Sequence, residues 1–117
     1  MSEDRLQQEA YHLFHNTYPN LRGLLFHVPN GGARNAREGA KFKTMGVRPG
    51  VADFIFLFDG SAYMIELKTK RGKQSQDQIN WEFVIRKQGF AYFIIRSLAE
   101  FQILIQNIIE ICPKYSK

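Results

Sequence analysis

The sequence predicts an α/β domain around a mixed sheet, and three observations predict it. Short apolar runs of strand length alternate with stretches of helical periodicity. Two of the apolar runs are joined by a hairpin turn signal. The helical stretches carry their own start and stop residues. The chain has 117 residues, the length of a single domain spanning 1–117, and 44% of them are apolar, ten being phenylalanine. That is enough for a packed core and argues against a disordered chain.

The elements follow in order. Residues 3–18 place Leu6, Ala10, Leu13, Phe14 and Tyr18 at helical spacing, and Pro19 stops the run. Leu24 to Val28 reads as a short strand, followed by a Pro29-Asn30-Gly31-Gly32 loop. Residues 33–45 carry Arg34, Arg37, Lys41 and Lys43 among alanines, a basic helix ended by Gly46. The segment 46–50 is a loop. Phe54 to Phe58 and Ala62 to Lys68 are strands joined at Asp59-Gly60, a two-residue hairpin signal. Ser75 opens a helix to about Lys87, with Gly89 as its stop, and Phe90 to Arg96 is another strand. Ser97 and Glu100 form a capping-box pattern before a last helix with Leu98, Phe101, Leu104, Ile105, Ile108 and Ile109.

Sixteen basic residues against eleven acids give a net charge of +5, which favours a polyanionic partner without requiring one. The one cysteine, Cys112, excludes an intramolecular disulfide and a multi-cysteine zinc site, and is expected as a reduced, partly buried thiol. No signal peptide is legible at the N-terminus. No apolar run approaches the roughly 20 residues that cross a bilayer. A soluble cytoplasmic protein with no membrane partner and no organic cofactor is expected.

The hairpin turns spacing into geometry. With a two-residue turn at Asp59-Gly60, Phe58 pairs with Ser61 and Asp53 falls directly opposite Glu66. Opposed residues share a face with Cβ atoms about 5 Å apart. Lys68, two residues beyond Glu66, points to that face as well. A three-residue turn would put Asp53 and Glu66 on opposite faces. Two facing carboxylates repel unless one is protonated or both share a cation. Oxygen donors with open positions suit Mg²⁺ or Mn²⁺. An E-x-K triplet alone is common as an exposed ion pair. Here apolar Ile65 and Leu67 flank the acid and Phe54 to Phe58 lies opposite, so the charges sit in a buried hairpin, where they are costly without a partner.

These residues resemble the PD-(D/E)xK nuclease superfamily, and more closely its VRR-NUC family of small stand-alone nucleases. The matching pieces are Glu9, Gly46-Val-Arg-Pro-Gly-Val-Ala-Asp53, Ile65-Glu66-Leu67-Lys68, Lys73-Gln-Ser-Gln-Asp-Gln78, and Gly89 with the strand after it, running from about residue 7 to 98. One departure is Ala52, where the family usually has proline. The resemblance implies a restriction-endonuclease-like αβββαβ core. It implies Asp53 and Glu66 as ligands of Mg²⁺ or Mn²⁺ together with the backbone carbonyl of Leu67, and Lys68 as the catalytic lysine. It implies Glu9 as a helix acid approaching the metal through water, and Gln78 as a glutamine near the active site. Glu9 sits at the border of the apolar stripe, beside Leu6 and Leu13, so it can face inward. Ser75-x-x-Gln78 is also a capping box, so Gln78 has a second reading as a cap, and the two need not exclude each other.

Residues 34–73 hold nine of the sixteen basic residues and four acids, a cluster suited to phosphate contacts. Arg34, Arg37, Lys41, Lys43, Arg48, Lys70, Arg71 and Lys73 are the candidate DNA contacts; the alternative is a solvated basic face. His12, His15 and His27 read as structural or surface residues, and Trp81 and Phe83 as core. The broad apolar face of the last helix points to a homodimer, in line with the stand-alone members of the resembled family. The expected function is a metal-dependent, structure-selective DNA endonuclease acting on branched DNA such as four-way (Holliday) junctions. The rivals are a flap- or nick-directed or non-selective nuclease, and a nucleic-acid-binding module whose acids are structural.

Overall fold

The computed structural model describes residues 1–29 and 36–111, with side chains from residue 39 onward in the second stretch. Helix α1 spans Glu3–Thr17, and Pro19–Leu21 forms one 3-10 turn after it. Strand β1 is Leu25–His27, helix α2 is Ala36–Thr44, strand β2 is Phe54–Phe58 and strand β3 is Ser61–Leu67. Helix α3 is Gln76–Lys87, strand β4 is Ala91–Ile95 and helix α4 is Leu98–Glu110. The expected element order is present, with bounds shifted by a few residues. Cys112, Asn30-Gly31-Gly32 and Arg34 lie outside the described residues, as does the side chain of Arg37.

The sheet order is β1-β2-β3-β4, the first two pairings antiparallel and β3 with β4 parallel. The turn chemistry explains the first of these at β2 and β3. Asp59 and Gly60 both have positive φ, at 49° and 80°, as a two-residue turn matching the strand twist requires. The parallel pair needs a crossover connection, and α3 supplies it.

Alternation along the strands divides the core in two. Phe54, Phe56, Phe58, Ile65 and Leu67 face Leu6, Ala10 and Phe14 of α1 and Phe101, Ile105 and Ile108 of α4. Met64 and Tyr92 pack with Ala52 and with Trp81 of α3. Residues 64–68 are buried without interruption, because β3 has a strand on each side and helices over both faces. Trp81 is core, as expected. Phe83 is not: it is 66% exposed. At about 100° per residue, two positions from Trp81 place it on the far side of the helix.

Side chains cap the helix starts. Ser2 accepts from the Arg5 N–H, and Ser75 with Gln78 forms a full capping box. Ser97 accepts from the Glu100 N–H, while the Glu100 carboxylate takes the Arg96 N–H rather than that of Ser97. Gly50 has φ +84°, and a Cβ there would lie 2.2 Å from the Asp77 carbonyl oxygen. The loop before Asp53 can therefore seat on the start of α3 only with glycine at this position.

Candidate active site

The β2–β3 ladder pairs Phe58 with Ser61 and Phe54 with Ile65, so one further step sets Asp53 opposite Glu66. The contact is made through the backbone as well. Asp53 Oδ2 accepts the Leu67 N–H at 2.6 Å, and the Asp53 carbonyl accepts the Val28 N–H of the edge strand's continuation at 3.2 Å. His27 Nδ1 donates to the same carbonyl at 2.7 Å. Burial pushes the Asp53 carboxyl above the ordinary aspartate value. The Leu67 N–H pulls it back, the charges of Glu3 and Glu66 raise it again, and His27 lowers it.

Glu66 is fully buried on the α3 side of β3. Its Oε1 accepts from the Tyr92 hydroxyl at 2.5 Å and from Gln74 Nε2 at 3.0 Å. Its Oε2 is buried and has no hydrogen-bond partner among the described residues. Burial, followed by the bond to Glu66 and the charge of that carboxylate, holds the Tyr92 phenol far above its ordinary value. Tyr92 is therefore a protonated donor.

Lys68, one residue past the end of β3, is 6% exposed. Among the described residues its ion pair is with Glu3 Oε1, at 3.9 Å, and not with Asp53 or Glu66. Glu3 stands at the start of α1, and its carboxylate also approaches the loop at Gly72, where a Cβ would lie 3.6 Å from Glu3 Oε2.

The expected helix acid was Glu9. The structure pairs Glu9 with Arg5 at 3.4 Å, while the α1 charge that reaches Asp53 is that of Glu3. About one and two-thirds turns of helix separate the two residues, and the N-terminal end of α1 is the end near Lys68. Gln78 closes its own helix start, taking the Ser75 N–H at 2.8 Å. The glutamine touching a site carboxylate is Gln74, in the loop before α3.

Lys41, Lys43, Arg48, Lys70, Arg71 and Lys73 are exposed. The last three lie in a loop fixed by Arg96, whose Nη1 donates to the carbonyls of Thr69, Lys70 and Gly72 at 2.9, 3.4 and 2.7 Å. Glu3, Gln74, Tyr92 and Arg96 escaped the sequence reading. Each looks ordinary there: a helix-start acid, a loop amide, a residue in an apolar strand and a strand-end arginine.

Two carboxylates are what the side chains offer a metal. Among the described residues no group of three or more His, Cys, Asp or Glu clusters as a metal cage. Such a donor set, with the remaining positions left to backbone, water or phosphate, fits Mg²⁺ or Mn²⁺ and not a zinc site. The buried, partnerless Oε2 of Glu66 fits the same group, because a bare buried carboxylate oxygen is costly unless something positive meets it. No helix among the described residues is long and apolar enough to cross a membrane.

The sequence matches no protein-family model and no curated protein. Solved structures share its fold, among them the following two. One, described as a VRR_NUC domain protein, is 23% identical, covers 100% of this chain and 92% of its own, and superposes with a TM-score of 0.77. The other, described as a VRR_NUC domain, is 23% identical over 89% of this chain and 94% of its own, with a TM-score of 0.59. The four-stranded mixed sheet, its flanking helices and this likeness together establish that the chain has the VRR_NUC domain fold.

Proposed function

We infer that the chain hydrolyses phosphodiester bonds in DNA, using Mg²⁺ or Mn²⁺ held between Asp53 and Glu66. The observation that carries this reading is the buried Glu66 Oε2, without a partner among the described residues, opposite a second carboxylate and with the nearby lysine drawn to Glu3. The VRR_NUC domain structures that share the fold support the nuclease class.

Asp53, Glu66 and the backbone carbonyl of Leu67 would hold the ion. When bound, it lowers the pKa of a water and neutralises charge on the phosphate. The chain's own residues do the rest. The Leu67 N–H holds the Asp53 carboxylate, and Tyr92 and Gln74 hold that of Glu66. Lys68, nearly out of solvent, stabilises charge developing on the phosphate oxygens. Glu3 fixes the Lys68 ammonium from the start of α1, a role different from the approach to the metal through water expected of Glu9. The exposed Lys41, Lys43, Arg48, Lys70, Arg71 and Lys73 hold the DNA backbone, joined in sequence by Arg34 and Arg37.

Branched DNA is the proposed substrate class, and a homodimer the proposed assembly. The dimer reading is supported by apolar side chains left in solvent, Ile103 on α4 at 56% exposure and Ile79, Phe83 and Val84 on α3. A symmetric pair of sites suits paired incisions across a four-way junction.

The test is a cleavage panel of labelled four-way junction, flap, splayed-arm and linear duplex DNAs in Mg²⁺, Mn²⁺ and EDTA. The reading predicts metal-dependent cutting, with the junction cut at symmetric positions. Absence of cutting on every substrate sinks the enzyme. Equal cutting of linear duplex sinks the substrate class and leaves the chemistry standing.

A further inference from the structure

Glu66 is gripped by one oxygen only. Among the described residues both of its donors, the Tyr92 hydroxyl and Gln74 Nε2, sit on Oε1, and Oε2 is buried without a partner. The donors come from different elements. Tyr92 lies on β4, in parallel register beside Met64 of β3, and Gln74 lies in the loop leading to α3. Gln74 is itself fixed, donating to Glu82 Oε1 at 2.8 Å. Glu82 Oε2 takes Arg86 Nε at 2.6 Å, and Arg86 Nη2 returns to the Tyr92 carbonyl at 2.8 Å. The Arg86 guanidinium also lies 5.7 Å from the centre of the Tyr92 ring. The contacts form a closed circuit through Glu66, Gln74, Glu82, Arg86 and Tyr92.

We propose that Tyr92 and Gln74 are positioning residues that fix Glu66 with Oε2 presented to the divalent cation, and so set the affinity of the site for that cation. The proposal rests on Asp53 and Glu66 being the metal ligands. Its physical basis is preorganisation. A glutamate carboxylate left to itself turns about its last torsion and exchanges its two oxygens. Two donors on Oε1, one of them a short charge-assisted O–H···O bond, make a single orientation strongly preferred. With Oε1 occupied, the remaining lone pairs of Oε2 are the ones open to an ion. Partners of this kind, one step behind the ligands, are worth about 10–100-fold in metal affinity elsewhere.

The experiment titrates Mn²⁺ into the full chain by calorimetry, comparing the wild type with Tyr92→Phe, Gln74→Ala and Asp53→Asn. Far-UV circular dichroism and melting curves check that each is folded. Tyr92→Phe removes one hydroxyl and keeps the ring against Trp81. The expected result is Mn²⁺ binding by the wild type, loss in Asp53→Asn, and about 10–100-fold weaker binding in folded Tyr92→Phe and Gln74→Ala. A merely structural role would lower the melting temperature and leave the Mn²⁺ affinity of the folded protein unchanged. Affinities within twofold of wild type in both folded variants overturn the proposal while the metal reading stands. If Tyr92→Phe does not fold, Gln74→Ala decides alone. No Mn²⁺ binding by the wild type removes the ligand assignment and the proposal with it.

Discussion

The Asp53 carboxylate accepts the backbone N–H of Leu67 across the hairpin at 2.6 Å. The bond ties the first acid to the strand that carries the second, so the spacing of Asp53 and Glu66 follows strand pairing and not loop position. It also holds Asp53 where burial raises its pKa.

That rise has a stability consequence in metal-free protein. A carboxyl whose folded pKa lies above its unfolded value favours the fold while protonated. The contribution is complete below the ordinary aspartate range and is lost as pH rises through the raised value. Asp53→Asn keeps an oxygen acceptor for Leu67 and has no charge to bury. In EDTA its melting temperature should match wild type near pH 3.5 and exceed it by a few degrees at pH 7. A variant melting at or below wild type at pH 7 would show that Asp53 does not carry this cost.

Glu3 and Glu9 make opposite predictions. Glu3 is the ion-pair partner of Lys68, whereas Glu9 pairs with Arg5. Glu3→Gln should slow cleavage on the order of tenfold with DNA affinity unchanged, the scale for losing a group behind the reacting ones. Glu9→Gln should cleave within twofold of wild type. The reverse ranking in single-turnover rates would return the helix acid to Glu9.

The loop after Lys68 should carry a measurable share of DNA binding. Each of Lys70→Ala and Lys73→Ala should weaken affinity for all duplex sequences alike and lower the slope of log K against log salt by about one. Arg96→Ala unties the carbonyls of Thr69, Lys70 and Gly72. It should cost about 1–3 kcal/mol of stability by leaving acceptors unmet. Unchanged salt slopes in both lysine variants would mean that DNA passes elsewhere.

Gly50→Ala places a Cβ 2.2 Å from the Asp77 carbonyl, at a φ that alanine disfavours. A loss of about 2–3 kcal/mol in chemical denaturation is expected, the scale of overpacking with backbone strain. A loss below about 0.5 kcal/mol would mean that the loop shifts freely off α3.

Local chemistry made the hairpin legible before any fold was known. Asp59-Gly60 permits few turns, and the two-residue turn fixes the register that sets Asp53 opposite Glu66. Helical periodicity likewise marked the inward stripe of α1. It carries no information about which end of the helix meets the sheet edge, so Glu3 and Glu9 could not be ranked by it. Tyr92 sits in Ala-Tyr-Phe-Ile-Ile, where pattern reads every side chain as apolar filling. Only the parallel pairing of β4 with β3 brings its hydroxyl to Glu66. Phe83 shows the converse: apolar composition alone suggested core, while its two-residue offset from Trp81 already put it outside.

The most direct test of the central claim compares wild type with Asp53→Asn on labelled four-way junction DNA, measuring cleavage in Mn²⁺ and binding in EDTA. The account predicts that the variant binds the DNA at least as tightly as wild type and that its cleavage falls at least about a hundredfold, the scale on which removing one charge-stabilising group slows such chemistry. Cleavage at the wild-type rate by the folded variant would contradict it.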